Sequence, residues 1–158
     1  MTADENDGLT WRVVRAEPAH LAEWAAMRQA LWPWADGGLH AGEAEELYLA
    51  GDTDKAAFIA LEGSGAPAGF AEAALRRDYV EGCDTSPVGF LEGIYVKPEA
   101  RRYGLARLLA ERVAVWARAQ GCTEFASNAL LRDRESHAFH AAIGFEETER
   151  VVYFRRPL

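Results

Sequence analysis

Apolar and polar positions change period several times along the chain, and those changes outline its elements. After a polar start, "TWRVVRA" alternates as a strand does. In "EPAHLAEWAAMRQALW", Leu21, Trp24, Ala25, Arg28 and Leu31 recur at helical spacing, with Pro18 near the first turn. "PWADGGLHAG" breaks that helix, and "EAEELYLAG" predicts a short acidic helix stopped by Gly51. "AAFIALEG" and "APAGFAEAALRRDYV" predict two strands joined through the turn-rich "GSGAP". "EGCDTSP" predicts a loop, and "VGFLEGIYVKP" a long apolar strand ended by Pro98.

In "YGLARLLAERVAVWARAQG", the residues Leu105, Leu108, Leu109, Val113 and Trp116 form one stripe, and Gly121 is a natural stop. "CTEFASNA" predicts a strand and "RDRESHAFHAAIG" a helix closed by Gly144. "FEETERVVYFRR" predicts one or two closing strands. The order β-α-α-β-β-β-α-β-α-β-β describes a mixed α/β fold. One domain is expected over 1–158, with residues 1–9 disordered, and with no repeat or linker.

Composition narrows the function classes. A chain of 158 residues supports one core without help from disulfides or metals. Asp and Glu number 25 against 17 Lys and Arg, a net charge of −8, which argues against nucleic acid and suits a cationic ligand. Cys83 and Cys122 lack metal-ligand spacing and read as free thiols in a reducing compartment. His137 and His140 stand three apart with no third ligand, so no metal is expected. "MTADENDGLT" lacks a secretory apolar stretch, and no apolar run approaches the ~20 residues of a membrane span. The expectation is a cytoplasmic protein with neither membrane nor nucleic acid as partner.

The stretch "PEARRYGLARLL" places fixed positive charge at the mouth of a helix in an acidic chain. A helix N-terminus exposes unpaired N–H groups and a partial positive charge, so it attracts anions. Gly104 keeps the backbone bare, Ala106 keeps the next turn slim, and Arg101 and Arg102 add charge where a pyrophosphate would lie.

R-x-x-G-x-A after "IYVKP", with "FHAAIGFEETER" later, resembles the GNAT superfamily of acetyl-CoA-dependent N-acetyltransferases. "ALWP", "DYVEGCDTSPVGFLEGIYV", "EFASNA" and "GFEETERVVYF" together resemble its branch of aminoglycoside 6′-N-acetyltransferases. The resemblance implies a GNAT fold, a mixed central sheet flanked by helices, with strands 4 and 5 splayed into a V that holds acetyl-CoA. It implies a pyrophosphate cradle at Arg101, Arg102, Tyr103, Gly104, Leu105 and Ala106, with Arg107 beside it. Ile94, Tyr95 and Val96 would pair with the pantetheine arm, and Asp133 stands where relatives often carry an Asn near that arm. On the acceptor side it implies Trp32, Glu92 and Glu149, and Asn128 where close relatives tend to carry Asp. By the same analogy Tyr79 reaches into a neighbouring subunit's cleft, which implies a homodimer.

Acetyl transfer to an amine requires the neutral amine. An alkylamine resembling Lys has a pKa of about 10.4, so fewer than about one molecule in a thousand is neutral at pH 7. A carboxylate can bind the cation and then take its proton, and Glu92 is the candidate base. The Ile94 N–H is the candidate oxyanion donor. Where many members of the superfamily place a tyrosine that protonates the departing thiolate, this chain has His140, either as that acid or as a packing group. Two other readings stay open. One is a GNAT enzyme acting on a polyamine or a protein N-terminus, and the other is a non-catalytic acyl-CoA-binding module.

Overall fold

The computed structural model describes residues 10–158; the disorder expected for residues 1–9 lies outside them. Strand β1 (Arg12–Arg15) leads through one 3-10 turn (Pro18–His20) into helix α1 (Leu21–Leu31). Helix α2 (His40–Ala44) runs on into a π-helical turn (Glu45–Leu49), and Gly51 then adopts a positive φ. Strands β2 (Lys55–Leu61), β3 (Pro67–Arg76) and β4 (Val88–Val96) follow. Helix α3 (Leu105–Ala119), strand β5 (Phe125–Ser127) and helix α4 (Arg134–Ala142) complete the elements. The strands lie in the order β1-β2-β3-β4-β5, antiparallel except for the parallel pair β4-β5.

The near-continuous apolar runs of β2 and β3 arise because the sheet is covered on both faces. Along β2, Ala56, Phe58 and Ala60 face the α3 side with Leu105, Leu109 and Val113, while Ala57, Ile59 and Leu61 face Trp24, Met27 and Phe70. The α3 stripe is placed slightly differently from its sequence pattern. Leu105, Leu109 and Val113 are buried, but Ala110, Ala114 and Ala117 complete the buried face and Leu108 is left 46% exposed. Small residues win there because helix and sheet approach closely: a Cβ on Gly89 would lie 2.6 Å from that of Ala117.

The closing strands expected in "FEETERVVYFRR" are absent. Phe145 packs on Phe125 at 4.9 Å between ring centroids, and Thr148 rests against Gly82. Beyond it the chain leaves the body, with Val152, Tyr153 and Phe154 exposed by 76%, 85% and 92%. Alternating apolar residues make a strand only where a neighbour supplies the ladder. Three-residue β5 offers little edge for that.

Candidate active site

Two strands that part create the site. β4 pairs with β5 only from Gly89 to Leu91, opposite Phe125 to Ser127, and then continues to Val96 with no strand of the described residues on that side. At the parting point the β3–β4 ladder slips: Glu72 faces Gly93 and Ala73 faces Leu91, leaving Glu92 as the extra residue of a β-bulge. The bulge reverses which residues face the opening. Before it, the Gly89 N–H donates toward β5, to the Glu124 carbonyl at 3.1 Å; after it, the Lys97 N–H donates toward β3, to the Ala68 carbonyl at 2.8 Å. Strand alternation therefore turns the N–H groups of Ile94 and Val96 into the opening. An extended amide chain laid there would find unpaired backbone partners.

Glu92 projects from the bulge half-buried, its carboxylate gripped by Arg76 of β3 through Nε at 3.0 Å and Nη2 at 2.8 Å. The Arg76 guanidinium also stacks on Phe90, 4.1 Å from the ring centroid. Beside Glu92, Gly93 has no room for a side chain, because a Cβ would lie 2.6 Å from the Trp32 ring. Trp32 is held there by the Arg28 guanidinium at 4.9 Å, Phe70 at 6.1 Å and His40 at 6.5 Å. The Trp32 ring thus stands directly against the bulge.

Under this wall lies a buried polar network that the sequence pattern does not announce. Arg28 Nη1 donates to both oxygens of Glu72 at 2.5 and 2.6 Å, and Trp24 Nε1 donates to the same carboxylate at 2.8 Å. Arg28 and Glu72 are 4% and 2% exposed. Arg28 Nη2 also reaches Glu43 at 2.8 Å. Burial pushes the Glu72 carboxyl up, and Arg28, Trp24 and Tyr48 oppose it. Burial, then the charges of Glu72 and Glu92, push the Tyr48 hydroxyl well above its usual range. Network and bulge are electrostatically one neighbourhood. The only sequence signals were an Arg on the apolar stripe of α1 and a Glu inside the apolar run of β3.

The anion end sits where β4 stops. Gly104 is the N-cap of α3 at φ 79°, and no side chain caps the helix, so its first N–H groups are left for an outside acceptor. A Cβ at Gly104 would meet no atom, so the glycine is favoured by its left-handed backbone and not by crowding from the protein. Arg102 also has a positive φ, 72°. The two outer arginines each make one hydrogen bond to the protein. Arg101 turns back, its Nε donating to the Val96 carbonyl at 2.9 Å and its guanidinium lying 5.7 Å from the Tyr95 ring. Arg107 donates to the Ala142 carbonyl and ties α3 to the end of α4. Arg102 alone of the three has no hydrogen bond to the described residues, and it is exposed beside Tyr103, which leans on Trp11 at 5.9 Å.

On the β5 side, His140 of α4 contacts Ser127. Asp133 is the N-cap of α4, accepting from the Ser136 N–H at 3.0 Å, so its carboxylate is committed to the helix. His137 contacts the Leu130 carbonyl at 2.9 Å, and the described residues hold no cluster able to bind a metal. Tyr79 is 73% exposed, Asn128 is exposed just past β5, and Glu149 is exposed on the C-terminal segment, outside any helix or strand. Cys83 and Cys122 are unpaired, and burial pushes both thiols up, away from the reactive thiolate. No helix of the described residues is long and apolar enough to cross a membrane.

Comparison with known proteins agrees with this arrangement. Residues 21–145 match the acetyltransferase (GNAT) family. The chain is 50% identical over 145 residues to the aminoglycoside N(6′)-acetyltransferase type 1 of Stenotrophomonas maltophilia, covering 91% of this chain and 92% of that one. It is 45% identical to the enzyme of that name from Serratia marcescens, covering 92% and 99%. Among solved structures, AAC(6′)-Iy with the bisubstrate analogue CoA-S-monomethyl-acetylneamine superimposes with a TM-score of 0.86 at 40% identity, covering 94% of this chain and 99% of that one. The aminoglycoside 6′-N-acetyltransferase AAC(6′)-Ih from Acinetobacter baumannii gives 0.88 at 40% identity and the same coverage. With the β4–β5 opening, the bulge and the uncapped helix beside it, the chain belongs to the GNAT acetyltransferase family.

Proposed function

We propose that the protein transfers the acetyl group of acetyl-CoA to the 6′-amino group of aminoglycoside antibiotics in the cytoplasm, and thereby confers resistance to them. The observation that carries the proposal is Glu92, a carboxylate raised on a bulge beside an open strand edge and against an aromatic wall. Acetyl-CoA supplies an activated acyl thioester. Its amide-bearing arm fits the free N–H groups of Ile94 and Val96 along the Ile94–Tyr95–Val96 edge. Its pyrophosphate fits the uncapped amides of Leu105, Ala106 and Arg107, with Arg102 and Tyr103 able to close on it.

Glu92 binds the acceptor ammonium and removes its proton. Arg76 occupies that carboxylate until the substrate cation displaces it. The Ile94 N–H stabilises the oxyanion formed when the amine attacks. Trp32 lines one side of the acceptor cleft. Tyr79, Asn128 and Glu149 complete it in a homodimer, which the exposed apolar run Val151–Phe154 supports, since a second copy would cover it. Light scattering of the purified protein tests the dimer, and a monomer at working concentration removes it.

The experiment that tests the function is thiol release from acetyl-CoA with kanamycin, tobramycin, amikacin, gentamicin, spermidine and a peptide as acceptors. Aminoglycosides should give the highest kcat/KM by at least about tenfold, a difference of about 1.4 kcal/mol. A larger value for spermidine or the peptide would reassign the substrate.

A further inference from the structure

Residues 77–87, which connect β3 to β4, lie outside any helix or strand, yet one carboxylate holds them. Glu124, just before β5, accepts at Oε1 from the Asp84 N–H at 2.9 Å, from the Thr85 N–H at 2.7 Å and from the Thr85 hydroxyl. The Glu124 carbonyl accepts from the Gly89 N–H of β4 at 3.1 Å, so the anchor is itself fixed at the base of the fork. At the stem, Arg77 grips Asp54 through Nε at 3.0 Å and Nη2 at 2.9 Å, and the Ser86 hydroxyl donates to the Arg77 carbonyl at 2.8 Å. In the middle, Gly82 has a φ of 79°, and a Cβ there would run into Thr148, the neighbour of Glu149.

Packing carries this anchorage to the site. Val80 is buried with Val88 and Phe90, and Cys83 and Ala126 close the cluster. Phe90 carries the Arg76 guanidinium, which grips Glu92. One run of contacts therefore leads from Glu124 through the loop and Phe90 to the carboxylate of the proposed base. The same loop exposes Tyr79 together with Asp78 and Glu81. An aromatic ring flanked by carboxylates suits a hydroxylated polycation.

We propose that Glu124 is a positioning residue for acceptor binding: it sets the 77–87 loop, and through it Tyr79 and the Phe90–Arg76 stack beside Glu92, in the arrangement that receives the aminoglycoside. The inference rests on the acetyl-transfer reading above. Glu124 exchanges no proton with either substrate and acts only through the residues it holds. The backbone of Glu92 is fixed separately, by the β3–β4 ladder, so loss of the anchor weakens acceptor binding and leaves the chemical step in place. All three donors meet one oxygen of Glu124. Glutamine keeps such an oxygen and preserves the attachment in weaker form, whereas alanine abolishes it.

The test is steady-state kinetics of wild type, Glu124→Ala, Glu124→Gln and Thr85→Val, with kanamycin and acetyl-CoA varied in turn. Glu124→Ala should raise the kanamycin KM at least about tenfold, with kcat and the acetyl-CoA KM within about threefold of wild type. Glu124→Gln should bring the kanamycin KM back to within about threefold. Thr85→Val, which removes only the hydroxyl donor, should raise it about two- to fivefold. If Glu124→Ala does not fold, Thr85→Val decides: a kanamycin KM equal to that of wild type overturns the proposal. A loss of kcat with both KM values unchanged, or equal rises in the two KM values, would reduce Glu124 to a brace of the fold. Wild type that transfers acetyl to no aminoglycoside would instead overturn the underlying function, so the two failures are distinct.

Discussion

Arg76 and Glu92 form a fork-shaped ion pair across the β3–β4 ladder, with Arg76 Nη2 within 3.0 Å of both Glu92 oxygens. The proposed base is thus occupied by a cation of the protein before any cationic substrate arrives. Removing that competitor should help binding. Arg76→Gln is expected to lower the aminoglycoside KM by about two- to fivefold, in keeping with the ~0.2–1 kcal/mol of a partly exposed pair. The effect should fade with added salt as charges are screened. A raised KM would mean instead that Arg76 holds Glu92 in its working position.

At Gly104 the backbone and the ligand make separable demands. Gly104→Asn keeps a residue that tolerates a positive φ and should leave the acetyl-CoA KM within about threefold. Gly104→Val combines strain with bulk at the helix mouth and should raise it at least tenfold, about 1.4 kcal/mol. A KM equal to that of wild type in both folded variants would move the pyrophosphate away from α3.

The buried pair of Arg28 and Glu72 is a stability element for the Trp32 wall. Glu72→Gln leaves Arg28 buried without its main partner and should cost about 3–5 kcal/mol of unfolding free energy. Glu43→Gln removes only the half-exposed partner and should cost less than about 1 kcal/mol. Urea titration of both variants measures the difference, and similar losses would contradict the ranking.

Glu124 makes stability depend on acid. The Thr85 hydroxyl first, and then the N–H groups of Asp84 and Thr85, hold its carboxyl below the usual range. A depressed folded pKa means that the stabilisation is complete above the ordinary glutamate value of about 4.3 and is lost as pH falls through the lower folded value. Glu124→Gln should therefore shift the urea midpoint at pH 7, and the shift should shrink as pH falls below the ordinary glutamate value. A shift of the same size at pH 7 and pH 3 would show that charge plays no part.

Much of this architecture was legible in the chain, and the misses share a cause. β2, β3 and β4 announce themselves as apolar runs and α3 by its periodic buried face, and the Gly104 turn follows from a glycine at a helix mouth. The failures lie where a second element decides. Val151 to Phe154 form a β-prone apolar run but have no neighbouring strand among the described residues to pair with. Arg28 and Glu72 pair across 44 positions of sequence, and no local spacing marks such a partnership.

Glu92→Gln tests the central claim most directly, with kcat for an aminoglycoside acceptor measured from pH 6 to pH 9. The substitution keeps the shape of the side chain and removes its capacity to accept a proton. If Glu92 is the base, kcat falls by about 10²–10⁴-fold near neutrality, and the deficit shrinks toward pH 9 as free amine becomes available. A deficit of the same size at pH 6 and pH 9, or a rise in KM alone with kcat within a few-fold, would contradict the account and leave Glu92 as a holder of the cation.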